Sequence, residues 1–176
     1  MWAWIGAFAH AYWSNRGGSA DLADLSAFAV IGSGALACVI AGRLADRFGR
    51  TRVTALAMAI SGSCAILAGL AFNAPPWVLL PILLLWGLSI IADSAQFSTA
   101  ITELAPPDRA GTLLTIQTAL GFSLTIVMVQ ILPGWIGLAG WNWAFAPLAI
   151  GPFLGVWAML SLRRLPAAEK MAGGKR

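Results

Sequence analysis

Charge is scarce in this chain. Only 10% of its 176 residues are Asp, Glu, Lys or Arg while 59% are hydrophobic, against about 25% charged in a soluble globular domain. So little charge cannot cover a water-facing surface, which makes lipid the solvent. Histidine is limited to His10, and the two cysteines, Cys38 and Cys64, lie in apolar runs with no His or Cys at ligand spacing. A His/Cys metal centre and a disulfide framework are thereby excluded, and both cysteines read as small buried hydrophobes. No Ser/His/Asp arrangement, CxxC pair or phosphate loop is present, and no long polar stretch could house a catalytic domain. The chain therefore reads as no enzyme, with no cofactor. The start, "MWAWIGAFAHAYW", lacks the basic region and small-residue cleavage site of a signal peptide. The net charge is +4, but the basic residues fall between apolar runs and in the tail, which fits membrane topology and not a nucleic-acid groove.

What the chain has instead is long apolar runs. Stretches 25–42, 53–72, 77–102, 111–132 and 142–162 each suit a bilayer-spanning helix of about 17–25 residues, while 1–13 is apolar but too short. Backbone groups in lipid must be satisfied internally, and no barrel-like alternation is visible, so the spans are helices. The predicted fold is an all-α membrane protein: a polytopic transmembrane helical bundle over 1–162 with five full spans and one partial span, then a basic tail at 163–176. "SNRGGSADLAD", "NAPP", "APPDRA" and "PGWIGLAGW" supply the breakers between spans. Ten of the eleven basic residues collect on one side if the tail is cytoplasmic, with Arg16 alone on the other. The 43–52 stretch and the tail are thus placed in the cytoplasm, and the chain in a plasma (inner) membrane as a multi-pass protein. Trp77, Trp135, Trp141 and Trp143 then fall at the outer boundary. The small-residue runs "GSGALA" and "SGSCA" read as packing faces. The third and sixth segments, without charge, read as lipid-facing supports.

Between the second and third segments stands "GRLADRFGR". Its arginines alone would anchor the topology. Asp46 and the glycines exceed what an anchor needs. Asp46 and Arg50 are four apart and can pair on a helical turn. Gly42 suits a helix end and close approach, Gly49 a left-handed turn. Arg47 and Arg52 can meet anionic headgroups. An Asp here can also accept hydrogen bonds from another helix's N-terminus. The pattern Gly42, Leu44, Ala45, Asp46, Arg47, Gly49, Arg50 resembles the signature loop of the major facilitator superfamily of secondary transporters, departing from it at Thr51, where a basic residue is usual. The resemblance implies that Gly42, Asp46, Arg47, Gly49 and Arg50 form a gating latch between two six-helix halves. The fourth segment lacks the intramembrane Arg, and the fifth the Gly-Pro motif, usual in the N-terminal half. "TELAPPDRAGT" is similar to the loop before the penultimate helix of the C-terminal half. The chain is accordingly identified with that half of the fold. Its first segment reads as the outer part of a helix whose inner part precedes Met1, the alternative being a short interfacial helix.

Asp93 is the most telling polar residue. An Asp at the bilayer centre costs roughly 2.5–3.5 kcal/mol on insertion scales and usually faces a cavity or partner. Ser89, Asp93, Gln96 and Glu103 share one helical face. The family resemblance places this helix along the central path, with Asp93 taking a proton or cationic group and Gln96 and Ser89 beside it. The plainer reading is a structural contact with another helix. In the fifth segment, Thr115, Thr118 and Thr125 read as interhelical or self-bonding threonines, with Gln117 the best pathway candidate. His10 reads as a proton relay or an interfacial side chain. Trp2, Trp4, Phe8 and Tyr12 read as packing residues, with a substrate wall the alternative. The resemblance implies transport of a small solute by alternating access, coupled to H⁺ or Na⁺, with the lipid bilayer and either the N-terminal half or a second copy as partners. The competing reading is a membrane fragment without transport.

Overall fold

The structure is a computed structural model that describes residues 1–174; Lys175 and Arg176, counted above in the basic tail, lie outside the described residues. Six α-helices follow one another: α1 (Trp2–Ser14), α2 (Ala20–Phe48), α3 (Arg50–Leu70), α4 (Pro76–Leu104), α5 (Ala110–Ala139) and α6 (Ile150–Leu162). Among the described residues five stretches are long and apolar enough to cross a membrane: α2 to α5, and Trp141–Leu162, which ends in α6. The 13 residues of α1 reach about 20 Å at 1.5 Å per residue, short of a hydrocarbon core of about 30 Å.

Local chemistry explains most helix ends. Ser19 caps α2, its hydroxyl accepting from the Leu22 amide at 3.4 Å, with Asp21 in the first turn. Pro76 opens α4, where a missing N–H costs nothing. Pro106 forces Ala105 into an extended conformation, and α4 stops there. Two sequence expectations fail. The charged knot is not a loop: α2 continues through Gly42 to Phe48, and the single residue Gly49 joins it to α3. Nor does Pro133 break the fifth span; α5 runs past it to Ala139 and ends at Gly140, which has a positive φ of 72°. Helices in lipid tolerate proline, since one lost bond is compensated by those around it. Before α6, Trp141–Trp143 and Ala146–Ala149 form 3₁₀ turns around Pro147.

The helices pack around α3 and α4. The latter lies against α2 and α3, α6 lies on α3, and α1 lies on α2. Thus α3, expected to be a lipid-facing support, is the most enclosed helix, with residues from Arg50 to Gly69 buried along its length. Its buried face is mostly Ala, Ser, Gly and Thr, small enough to let neighbours close in on several sides. At Gly34 a Cβ would collide with Ile91, and at Gly87 with the Val30 carbonyl, so these two glycines set the α2–α4 approach. Gly62 plays the same part between α3 and α6, where a Cβ would stand 3.2 Å from Phe153. Cys64 is buried as expected, but Cys38 is exposed on the outer face of α2.

An aromatic cluster fills the end of the bundle away from the knot. Phe8 meets Phe72 at 5.2 Å and Phe145 at 4.9 Å, and Phe145 meets Trp86 at 4.9 Å. Trp141 stacks on Phe72 at the edge of this cluster. The Tyr12 hydroxyl and the Arg16 guanidinium both donate to the Ala74 carbonyl at 2.8 Å, tying α1 to the α3–α4 connection.

Candidate functional site

The knot works through Arg50. As the first residue of α3 it is pointed back into the bundle and is only 6% exposed. Its Nε and Nη2 donate to the two carboxylate oxygens of Glu103 at 2.9 and 2.8 Å, the fork-on-fork geometry that makes such pairs strong. Nη1 donates to Gln96 Oε1 at 2.6 Å. The fourth contact, from Nη2 to Asp46 Oδ1, is longer at 3.4 Å, and the Asp46 side chain is 71% exposed. One guanidinium thus ties the end of α2 and the start of α3 to the far end of α4.

The backbone makes this possible at Gly49. Its φ of 98° and ψ of 135° reverse the chain between two helices, with its N–H still donating to Ala45 O at 3.0 Å. A side chain at that φ is strained. Gly42 has no such role: it sits inside α2 and a Cβ there would meet nothing within 4 Å. Arg47 is exposed, its guanidinium 5.3 Å from the Phe48 ring centre. The tail joins the same cluster. Segment Pro166–Gly174 buries Ala168 and Met171 against Ala100, and the Ala172 amide donates to Glu103 Oε2 at 3.3 Å.

The polar face of α4 therefore divides. Gln96 and Glu103 belong to the Arg50 cluster. Ser89 donates to the Trp86 carbonyl of its own helix. Asp93, buried at 8% exposure, accepts a hydrogen bond from Ser94 at 3.2 Å. Among the described residues no Lys, Arg or His forms an ion pair with it. Neither Ser89 nor Gln96 hydrogen-bonds to Asp93.

A cavity of about 610 Å³ lies beside Asp93, between α1, α4 and α5. Ser94 lines it, as do Trp2, Trp4, Phe97, Gln117 and Thr118. Gln117 Oε1 and Trp4 Nε1 are buried without a hydrogen-bond partner. Thr115 and Thr125 donate to backbone carbonyls four residues back. His10 is elsewhere, near the α1–α2 turn, where its Nε2 lies 2.8 Å from Asp24 Oδ1 with both side chains well exposed. Phe8 and Tyr12 belong to the aromatic cluster; Trp2 and Trp4 line the cavity, and Trp4 also packs against that cluster. Sequence reasoning placed Glu103 on the polar face but missed its tie to Arg50. The available signal was an acid at the end of one span and an arginine at the start of another, on the same side.

The family model of the Major Facilitator Superfamily matches residues 1–176. The chain is similar to the D-xylose transporter of Levilactobacillus brevis, 33% identical over 83% of this chain and 28% of that protein. It is also similar to the gallate transporter of Pseudomonas putida, 29% identical over 77% of this chain and 32% of that protein. It spans about a third of the length of these curated relatives. No solved structure matches it.

Proposed function

We propose that this chain, which belongs to the Major Facilitator Superfamily, is one half of a secondary active transporter that moves a small organic solute across a membrane by alternating access. The family and the five apolar helices make it a multi-pass integral membrane protein. The observation that carries the reading is the Arg50 cluster. Three helix ends are held by one buried, multiply bonded guanidinium at the end where the basic residues gather. Such a cluster keeps α2, α3 and α4 moving as one body, which rocking of two halves requires. Asp46, exposed and in contact with Arg50, lies at the same end, where a carboxylate can also face a further helix N-terminus. The gathering of Arg43, Arg47, Arg50 and Arg52 supports a cytoplasmic location for this end by the positive-inside rule. Asp93 supplies the coupling group: a buried carboxyl with no cationic partner among the described residues, next to a cavity, is where a proton or Na⁺ would bind. D-xylose and gallate, the solutes named for the two relatives, set the size class.

The test is uptake into proteoliposomes. The gene's whole product should accumulate one of a panel of radiolabelled pentoses, hexoses and hydroxylated aromatic acids, while this chain alone should not. Uptake by this chain alone at the full rate would overturn the half-transporter reading. Absence of uptake across the panel by the whole product would overturn transport.

A further inference from the structure

The segment after α6, Pro166–Gly174, lies across the bundle. It touches α4, α2 and α3, the same three helices whose ends Arg50 ties together. Two anchors hold it. Met171, 1% exposed, is inserted beside Ala168 against Ala100, Leu104 and Leu162. The next residue, Ala172, donates its amide to Glu103 Oε2 at 3.3 Å. That oxygen also accepts from Arg50 Nε. The tail backbone and the α3 guanidinium therefore share one carboxylate oxygen of α4.

Docking strains the chain where it grips. Met171 is extended, with φ −87° and ψ 145°, and Ala172 then turns to φ 47° and ψ 39°. Among the described residues Ala172 is the one non-glycine with a positive φ. A Cβ disfavours that backbone, and such strain persists only where the surroundings impose it. Gly173 and Gly174 continue at positive φ without that penalty. Arg164 to Ala167, Glu169 and Lys170 are exposed, so burial in this stretch rests on Ala168 and Met171. A segment with few buried contacts and a strained residue at its grip is among the first to open.

Opening has a consequence at the cluster. With the segment docked, the Glu103 side chain is 26% exposed. Undocking removes one hydrogen-bond donor from its carboxylate and admits water beside the ion pair. An ion pair in water is weaker than one held in a low dielectric.

We propose that Pro166–Gly174 is a releasable strap on the joint between α4 and the α2–α3 turn. Docked, it shields the Arg50–Glu103 pair and stiffens the joint. Released, it loosens the joint. The Met171 side chain is its plug and the Ala172 amide its catch. The strap stands independently of solute and coupling ion, and only its effect on turnover rests on the transporter reading.

The experiment compares the parent chain in lipid nanodiscs with three variants. Tryptic cleavage at Lys170 reads release of the strap, and amide hydrogen exchange at residues 100–104 reads the joint. Met171→Asp removes the plug and Ala172→Pro removes the catch, and each should speed both readouts about tenfold. Ala172→Gly keeps the amide and relieves the strain, so it should slow both about threefold, a gain that a misfolded variant cannot give. Exchange at residues 5–12 of α1, at the far end of the bundle, should match the parent in all three. The inference is overturned if Ala172→Gly fails to slow cleavage, if a freed tail leaves residues 100–104 exchanging at the parent rate, or if α1 loosens as much as α4. In the gene's whole product, Met171→Asp should lower the rate of solute exchange, because the three helix ends no longer move as one body. An unchanged rate would overturn the strap's control of turnover. No flux in the parent product would remove the transport reading and leave the strap to be judged on cleavage and hydrogen exchange.

Discussion

At the scale of single residues, Glu103 and Asp46 are two acids on one arginine with unequal weight. Glu103 shares two short bonds with a nearly buried guanidinium, while the Asp46 bond to the same group is longer and lies in the open. Removing one partner of a buried pair strands the other and costs about 3–5 kcal/mol, whereas an exposed pair contributes about 0–1 kcal/mol. Glu103→Gln should therefore lower the thermal unfolding midpoint in detergent clearly, and Asp46→Asn hardly at all. An equal loss for both would show that the burial of Arg50 is not what matters. Asp46→Asn should instead alter thiol accessibility from the cytoplasmic side in the whole transporter. Asp93 tests a different property. With no ion pair among the described residues to lose, Asp93→Asn should leave expression and solute exchange intact while abolishing accumulation driven by an ion gradient. Gradient-driven uptake at the parent rate would remove Asp93 from coupling.

Between elements, the glycines separate by what their missing Cβ would touch. A methyl at Gly87 would meet Ser33 Oγ and the Val30 carbonyl on α2, and the carbonyl cannot retreat without moving the helix. Gly87→Ala should cost about 1–3 kcal/mol as an overpacked contact. Gly42→Ala, with open space around it, should be neutral or stabilising by up to about 1 kcal/mol through helix propensity. Unfolding midpoints of the two variants decide this, and a reversed order would refute the α2–α4 approach described here. The tail is held by Met171, 1% exposed, and by the Ala172 amide on Glu103. Met171→Asp should free it, seen as faster tryptic cleavage at Arg163, Arg164 and Lys170.

For the molecule as a whole, burial is uneven. From Arg50 to Gly69, α3 is enclosed, whereas α5 buries Leu132 alone. Local opening is easiest where few contacts hold an element. Hydrogen exchange in detergent should therefore be faster along α5 than along α3, and equal protection would mean that α5 is held by more than its contacts with α4 and the Trp141–Trp143 turn. The same unevenness explains why the cavity has a wall of α5 residues: that helix leans on the others along one line and leaves space beside it.

The sequence alone determined the solvent, the helical class and the apolar runs, because hydropathy over some twenty residues is a local quantity and lipid allows few answers to it. The same local logic made Gly49 legible as a turn residue. It did not reach the end of α5 at Gly140, since whether Pro133 breaks a helix depends on its surroundings. Only the tertiary structure decided what Arg50 holds, because its partner Glu103 is 53 residues away and no spacing rule links two separate helices. It also decided that α3 lies inside and that Trp4 and Gln117 share one cavity. A small residue or a lone amide reads alike on any helix face; which face meets a neighbour is fixed only when all the helices have packed.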